Sequence, residues 1–511
     1  MIVIHDTTPL QSSILVGSVV TLLAFLLRVL PHWIAPLGIG VDHWYWKKYI
    51  EEYRKARQFP PELSQYLLES AQWYPPVFPL LFAYLPQSMF DRFSHVLAIL
   101  IDLFRMVTLM AIVYSLTAGN SIAVAVAGGV YALTPLLISY NVQLNPRGLG
   151  AILLDLVFFS ATLVFFFGAP LWLWMVLVPS CGVLLLTHKM TTQLFWFLCL
   201  AGGVLLDWRV LLLIPMSVMV ALLISGGFYW KVLRHHWDIL TFWYRNWPWL
   251  GANPIKESPI YGEVSYETPR KAHRKGLRGI VKHVYSQAAY NPFAWLLIFV
   301  LFITPVIPLP PDSFPTYVLG GLAATLVFSL ATALVPQLRF LGAGHFYLYN
   351  AAFPSALLWG LLVGRESEGV AALLLVGGIA SIVAIARFYL HVGQSPTLKI
   401  DPEFEAVIGF LSSKADGAIM CCPPQWYDLI AYKTHLPVLY GGHGYGFRML
   451  EDTYPRLLVS VPELVRRYNV RFIVLQPDAV TEKFLKDIPA HETVEFGQYR
   501  VLSIKGDGTS V

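Results

Sequence analysis

Apolar runs recur along this chain as far as residue 391, and they limit its fold more than any other feature. A helix needs about 20 apolar residues to cross the hydrocarbon core of a bilayer. About eleven runs approach that length, and because several are short or interrupted by proline or glycine, roughly nine to thirteen spans are expected. The pattern predicts a polytopic α-helical membrane protein. The expected spans are 12–30, 94–117, 121–140, 148–168, 170–187, 191–206, 210–229, 293–309, 316–336, 346–364 and 369–391.

The composition changes near Lys399 to that of a small soluble α/β domain. We therefore expect a transmembrane catalytic domain at 1–395 and a soluble α/β domain at 396–511. A glycine cluster at 441–446 predicts a turn, because it lacks the strand-and-helix setting of a nucleotide-binding loop. Expected helices of the soluble domain are 403–411, 425–433 and 461–468, and expected strands are 418–421, 470–475, 493–496 and 500–504.

The two long loops bear on the orientation in the membrane. With the N-terminus inside and about eleven spans, loops 31–93 and 230–292 and the C-terminal domain lie on the outer side. Loop 230–292 carries ten Lys and Arg against four Asp and Glu, which argues for the opposite orientation. Long loops translocate largely regardless of charge, so we keep the extracytoplasmic assignment. Tryptophans interleaved with these cations predict a surface that binds anionic headgroups or grips a lipid phosphate.

Loop 31–93 has the pattern of an interfacial segment. Trp46, Ile50, Tyr53 and Arg57 recur at helical spacing, and charged residues cover the other face. Such an amphipathic helix is expected to lie in the headgroup plane. A second short helix is expected at 62–72, before the prolines that follow Tyr74 direct the chain towards the next span.

Charged and titratable groups cluster at the predicted outer ends of several spans. Placing an ionisable group within a membrane costs free energy, so such groups are functional candidates by default. Their convergence on one side predicts a protein that works at its outer face. These groups are Asp42-His43, Asp91-Arg92, Asn145 with Arg147, Thr187-His188-Lys189, and Arg339 with His345.

Asp42 is the best candidate for a general base. A carboxylate beside an apolar wall and aromatic residues can accept a proton in a useful pH range. The simpler interpretation is that Asp42 only caps the helix that follows it, since Asp is a preferred N-cap residue. His43 is a second acid/base or a metal ligand, or an interfacial histidine without a role.

Four residues are expected to line the acceptor or substrate: His43, Trp44, Tyr74 and His345. The aromatic rings among them could pack against a substrate at the level of the membrane surface, and the two histidines add hydrogen-bonding groups there.

Four basic or titratable residues, Arg147, His188, Lys189 and Arg339, are expected to bind the phosphate of a donor. Arginine can bind a phosphate through two parallel hydrogen bonds. The alternative for each is that the side chain extends to the lipid headgroups without a specific ligand.

Three charged residues fall within expected spans. Asp102 and Arg105 are separated by one helical turn, which predicts a buried ion pair between them. Asp155 lies too deep for a water-exposed site, so we expect it to be hydrogen-bonded between helices.

Together these motifs resemble the GT-C superfamily of integral membrane glycosyltransferases. The resemblance rests first on Asp42 in a long first loop and on Tyr74-Pro75-Pro76 closing that loop. Two later motifs that contain arginine also fit, Asn145-Pro146-Arg147 and Arg339 ahead of Pro354. A run in the C-terminal domain is similar as well, namely Glu463-Leu464, Tyr468 and Val470 to Leu475.

The resemblance implies transfer of a sugar from a polyprenyl-phosphate donor to a lipid, glycan or protein acceptor, at the outer face of the plasma membrane. It implies that Asp42 deprotonates the acceptor hydroxyl, with inversion at the anomeric carbon. Protein O-mannosyltransferases carry Asp-Glu in this loop, and oligosaccharyltransferases carry Asp-x-Asp there and Trp-Trp-Asp in the tail. Here His43 and Trp44 follow Asp42. With a single carboxylate, a divalent metal is not favoured, and no other cofactor is expected.

Two other classes of function are compatible with a polytopic chain. A transporter or flippase of a lipid-linked substrate would carry ionisable groups near the bilayer midplane and show two matching halves. Another membrane enzyme, such as a lipid-sugar ligase or a phosphoethanolamine-type transferase, would need a nucleophile and clustered metal ligands. The sequence favours neither, and a segment held against a membrane is a poor partner for nucleic acid.

Overall fold

The structure of the protein is a computed structural model. The structure describes residues 9–35, 42–246, 276–299, 312–363, 368–394 and 401–504, except 415, 423, 442–446, 455–457 and 481. The helices are α1 (Pro9–Ile34), α2 (Asp42–Ala56), α3 (Val77–Ala83), α4 (Gln87–Leu116), α5 (Ser121–Ala132), α6 (Pro135–Tyr140), α7 (Arg147–Phe166), α8 (Trp172–Leu185), α9 (Lys189–Leu205), α10 (Leu213–Ile224), α11 (Phe228–Asn246), α12 (Gly276–Tyr290), α13 (Pro292–Ile298), α14 (Phe314–Leu334), α15 (Ala352–Val363), α16 (Glu368–Gln394), α17 (Pro402–Ser412), α18 (Tyr427–Thr434), α19 (Val461–Tyr468) and α20 (Glu482–Lys486).

The chain forms two compact units. The first unit contains residues 1–36, 87–229 and 280–395, and the second contains residues 37–86, 230–279 and 396–511. Parts of both long loops therefore belong to the same unit as the C-terminal domain.

The apolar helices of the first unit follow the expected spans. Five helices among the described residues are long and apolar enough to cross a membrane, and five more apolar helices are shorter. The expected span 121–140 is divided into α5 and α6, because Pro135 cannot continue the hydrogen bonding of α5. The expected span 293–309 is represented by α13, and residues 300–309 lie outside the described part of the chain. The prediction of a polytopic helical membrane protein is confirmed.

Helix α5 lies at the centre of the first unit, in contact with α1, α4 and α15. Its contact with α15 is close because Gly360 has no side chain. A Cβ at that position would lie 2.9 Å from the Cβ of Ala127 and 3.1 Å from the carbonyl oxygen of Ala123. Small residues at such positions allow helices to pack tightly where lipid supplies no hydrophobic driving force.

A buried polar network connects the helices of this unit, and it corrects one expectation. Arg28 Nε lies 2.6 Å from Asp102 Oδ2, and Arg105 Nε lies 2.6 Å from Asp155 Oδ2. The expected pair of Asp102 with Arg105 is wrong, because each side chain reaches a partner on a neighbouring helix instead. The expectation that Asp155 is hydrogen-bonded between helices is confirmed, since Arg105 lies on α4 and Asp155 on α7.

Helix α2 in the second unit has a different environment from the one expected. Its helical structure is confirmed, but Trp46, Tyr49 and Ile50 are buried by contacts that include α3 and α18. The apolar face is therefore covered by protein. The position of α2 in the headgroup plane stays a prediction.

The expectation of a second helix at 62–72 is wrong. That segment is irregular and is joined by isolated bridges such as Glu62 with Ala71.

Lys48 on α2 is fully buried, although its position in the sequence placed it on the charged face. Its Nζ lies 3.0 Å from Glu52 Oε1 and 3.0 Å from Nδ1 of His435, which follows α18. Burial acts to raise the pKa of Glu52, but Lys48 and Lys55 outweigh this effect, so that the pKa is below its usual value. Lys48 thus links α2 to the C-terminal domain.

Replacing Lys48 with methionine is expected to lower the midpoint of thermal unfolding. The change removes charge-assisted hydrogen bonds that contribute about 2–3 kcal/mol. Lys55→Met is the matched control, because Lys55 binds the same carboxylates from an exposed position, where such pairs contribute at most about 1 kcal/mol. Scanning fluorimetry of both variants in nanodiscs provides the measurement. Equal midpoints for the two variants would contradict the assignment.

The C-terminal domain contains a four-stranded sheet with the order β1-β2-β4-β3. Strands β1 and β2 are parallel, with Ile419 opposite Phe472, and β4 is antiparallel to both β2 and β3. The expected helices and strands of this domain are confirmed, including the hairpin, in which β3 forms the edge. The strands are β1 (Ala418–Cys422), β2 (Val470–Leu475), β3 (His491–Phe496) and β4 (Tyr499–Ile504).

Two expectations fall partly on residues that the structure does not describe. In the glycine cluster only Gly441 is described, and residues 442–446 lie outside the described part. In the basic loop, α11 and α12 are described, whereas 247–275 lies outside. Cys421 and Cys422 are both buried and are not joined in a disulfide bond, and burial raises the pKa of the Cys421 thiol well above its usual value.

Candidate active site

The candidate residues are distributed over both units. Asp42, His43, Trp44 and Tyr74 belong to the second unit. The remaining candidates belong to the first unit, namely Arg147, His188, Lys189, Arg339 and His345.

Arg147 is held at the first turn of α7. The side chain of Asn145 accepts a hydrogen bond of 3.0 Å from the backbone N–H of Arg147. The guanidinium carbon lies 4.3 Å from the ring centroid of Tyr140 and 4.5 Å from that of Phe346. Nη1 is buried and has no hydrogen-bond partner among the described residues. Arg147 therefore presents a buried cationic donor between two aromatic rings, a setting that suits an anionic ligand.

His188 and Lys189 form the start of α9. His188 is the N-cap residue, and its Nδ1 lies 2.8 Å from Thr191 Oγ1. Lys189 is buried at the first helical position, with 8% of its surface exposed. A helix N-terminus carries partial positive charge and backbone N–H donors, so this end of α9 is suited to a phosphate.

The first turns of α7 and α9 lie directly against each other at Gly150. A Cβ at Gly150 would be 2.8 Å from Thr191 Oγ1 and 3.1 Å from the Cβ of His188. Gly150 is one helical turn after Arg147, so the close approach brings the start of the Arg147 helix to the N-terminus of α9. Only glycine permits this spacing without displacement.

Arg339 and His345 lie on two short 3-10 helices, Pro336–Leu341 and Gly344–Tyr349. Tyr347 Oη donates to Gln193 Oε1 at 2.5 Å, which ties this segment to α9. The ring of His345 stacks on Tyr290, with 4.8 Å between ring centroids. Arg339 is half-buried. The structure thus brings together the segments that carry all the basic candidates of the first unit, and their binding of phosphate stays a prediction.

A glycine variant tests whether the stability of the protein depends on the close packing of α7 against α9. Gly150→Ala is expected to lower the midpoint of thermal unfolding, because overpacking of this kind costs about 1–3 kcal/mol. Gly320→Ala in α14 is the control, since nothing lies within 4 Å of its added Cβ. Scanning fluorimetry in nanodiscs should separate the two variants. A Gly150→Ala midpoint equal to that of Gly320→Ala would show that the helices tolerate a wider spacing.

Asp42 is the first residue of α2 and is half-buried. The partial positive charge of the helix N-terminus favours a carboxylate at this position. The ring of Trp44 lies 5.2 Å from His43 and 5.5 Å from Tyr432 of α18, measured between centroids. Tyr74 is buried with its ring 4.8 Å from that of Trp46. Aromatic packing thus fixes the direction of the helix turn that carries Asp42.

Sequence reasoning missed the aromatic pair around Arg147. Tyr140 and Phe346 lie in separate segments, and aromatic residues make up 14% of the chain. Their positions therefore carried no distinctive signal. Among the described residues, no group of three His, Cys, Asp or Glu side chains is placed to hold a metal ion.

Comparisons with known proteins support the fold. No protein-family model and no curated protein matches the sequence. A crystal structure of the Archaeoglobus fulgidus oligosaccharyltransferase in complex with Zn and sulfate is similar to 92% of this chain, with a TM-score of 0.54 and 14% sequence identity. The similar part makes up 69% of the oligosaccharyltransferase chain. A crystal structure of ArnT from Cupriavidus metallidurans bound to undecaprenyl phosphate is similar to 96% of this chain, with a TM-score of 0.47 and 15% sequence identity. The similar part makes up 97% of the ArnT chain.

The architecture agrees with the first of these structures over almost the whole chain. Apolar helices form the first unit, and a small sheet lies in the C-terminal domain. The protein therefore has a GT-C-like fold.

Proposed function

We propose that the protein transfers a sugar from a polyprenyl-phosphate donor to a lipid, glycan or protein acceptor, with inversion at the anomeric carbon. The observation that carries this proposal is Arg147, whose buried Nη1 makes no hydrogen bond among the described residues. A half-buried arginine with a buried donor atom near a helix N-terminus is suited to a phosphate in a water-poor environment. The GT-C fold supports sugar transfer as the reaction.

In the proposed reaction, the bond between the anomeric carbon and the phosphate oxygen breaks, and negative charge develops on the leaving phosphate. Arg147 and the N-terminus of α9, with Lys189, stabilise that charge. Arg339 and His188 complete the phosphate site. Because these groups are fixed by helix packing, they need little reorganisation during the reaction.

Asp42 is proposed to accept the proton of the acceptor hydroxyl. The acceptor oxygen then attacks the anomeric carbon from the side opposite the phosphate, which inverts the configuration. His43, Trp44, Tyr74 and His345 are proposed to line the acceptor or the donor sugar. The mechanism uses the carboxylate of this chain as its base and assigns no step to a metal.

The proposal places the protein in the plasma membrane, with its active site and residues 396–511 on the extracytoplasmic side. Residues 1–395 form the transmembrane catalytic domain in this arrangement. Polyprenyl-phosphate sugars flipped across the membrane would reach the site from the lipid phase. The transporter alternative is less well supported, since Arg28 and Arg105 at membrane depth are engaged in ion pairs between helices.

The donor class can be tested with purified protein in nanodiscs. Three classes of donor are compared: polyprenyl monophosphates carrying a panel of labelled sugars, the matching polyprenyl diphosphates, and nucleotide sugars. Each donor is supplied together with lipid and glycan extracts from the source cells as acceptors. We expect label to leave only the monophosphate donor, with release of polyprenyl phosphate. Consumption of a nucleotide sugar in its place, or consumption of no donor in the panel, would overturn the proposal.

A further inference from the structure

The second unit contains a cavity of about 420 Å³ that none of the steps above uses. Ligand sites typically have volumes of about 300–1,000 Å³, so the cavity is large enough for a sugar with a charged substituent. All its lining residues belong to the second unit. They are Glu69, Trp73, Lys231, Arg234, His235, Trp237, Asp238, Arg448 and Met449.

Helix α11 forms one side of the cavity and is held at two places. Near its middle, His235 stacks on Trp73 of the first loop, with ring centroids 5.5 Å apart and planes 7° apart. Near its end, the ring of Phe242 lies parallel to Tyr454, and Arg245 lies 3.7 Å from Glu451. The cavity therefore has walls from three separate parts of the chain that are held in place by specific contacts.

Two tryptophans give the cavity an aromatic lining. Trp73 donates a hydrogen bond of 2.9 Å from Nε1 to Glu69 Oε1, which fixes the orientation of its ring. Trp237 is 72% exposed although it lines the cavity. A tryptophan presents a flat apolar face together with a polar edge, and the C–H face of a pyranose ring packs well on such a surface.

The charges of the lining favour an anionic ligand. Lys231, Arg234 and Arg448 face two carboxylates, Glu69 and Asp238. Arg448 Nε lies 3.5 Å from Asp238 Oδ1, and Lys231 Nζ lies 4.7 Å from the ring centroid of Trp73. No carboxylate pairs with Arg234 among the described residues. The carboxylates can accept hydrogen bonds from sugar hydroxyls, while the surplus cations bind a negative substituent.

We propose that this cavity binds an anionic saccharide, a sugar ring that carries a phosphate or carboxylate group. The ring packs on Trp237, and Arg234 and Lys231 bind the acidic group. The inference rests on the proposed function and deepens it, because it identifies the acceptor of the sugar as an acidic glycan. Binding itself can be measured without sugar transfer.

The test measures binding of glucose 6-phosphate, glucose and inorganic phosphate to the full-length protein in nanodiscs by saturation-transfer NMR and calorimetry. Trp237→Ala and Arg234→Gln are the variants. Trp230→Ala is the matched control, because Trp230 is similarly exposed two turns earlier on α11 but does not line the cavity. We expect wild type and Trp230→Ala to prefer glucose 6-phosphate, and each cavity variant to weaken its binding about tenfold.

Three results would overturn the inference: no binding of glucose 6-phosphate, binding that neither cavity variant changes, or inorganic phosphate binding as tightly as glucose 6-phosphate. The last result would show a simple anion site without a sugar subsite. Donor turnover, measured separately, distinguishes the two proposals. If turnover depends on Asp42 but the saccharide does not bind, the transferase assignment stands and only the acceptor subsite fails.

Discussion

Replacing Arg105 with methionine is expected to remove most of the folded protein from membranes. Arg105 binds Asp155 through two hydrogen bonds, from Nε at 2.6 Å and from Nη2 at 3.0 Å, and Nη1 donates to the carbonyl oxygen of Tyr349 at 3.2 Å. The substitution would leave the Asp155 carboxylate in an apolar environment without its cation. Breaking a buried ion pair on one side costs about 3–5 kcal/mol, which is a large fraction of the stability of most folded proteins.

The double variant Arg105→Met with Asp155→Leu is the control for this prediction. Replacing both members of a buried pair with apolar residues is often neutral, because no charge is left without a partner. We therefore expect the double variant to recover much of the folded yield, as measured by fluorescence-detected size-exclusion chromatography. A single variant as abundant as the wild type, or a double variant worse than the single one, would contradict the role assigned to this pair.

The same pair shows what a sequence can and cannot predict. The spans were predictable because hydrophobic length is a local property, and α4 and α7 lie where their apolar runs indicated. The partner of Arg105 was not predictable from local spacing. Asp102 is one turn away on the same helix, but Asp155, 50 residues later, occupies the facing position.

Helix α2 gives a second example. Its periodicity predicted a helix, and the helix is present. Periodicity does not reveal what covers each face, so the burial of Lys48 beside His435 was missed. In the candidate site, the charge of Arg147 was visible in the sequence, but its position between Tyr140 and Phe346 depends on contacts between distant segments.

Asp42→Asn is expected to abolish most of the catalytic activity while leaving the protein folded. Asparagine has nearly the same size as aspartate but cannot accept the proton of an acceptor hydroxyl. A positioned general base typically contributes a factor of about 10²–10⁴ to the rate. Asp42 is only half-buried at the first turn of α2, so the substitution should shift the thermal midpoint little.

His43→Gln and Asp42→Glu are the matched variants. His43→Gln alters the neighbouring titratable side chain. If the base is Asp42, we expect His43→Gln to lower the catalytic rate much less than Asp42→Asn does. Asp42→Glu restores a carboxylate at a longer reach and should retain measurable activity. If His43→Gln caused the larger loss, the base would be reassigned to the histidine.

The measurement that tests sugar transfer most directly is the rate at which labelled polyprenyl-phosphate sugar is converted to polyprenyl phosphate in nanodiscs. Wild type and Asp42→Asn are compared at saturating donor, with the thermal midpoint of each preparation as a check on folding. We expect rapid release with the wild type and a rate about 10²–10⁴-fold lower with the variant. Equal rates in two folded preparations, or no release by the wild type with any sugar of the panel, would contradict the account.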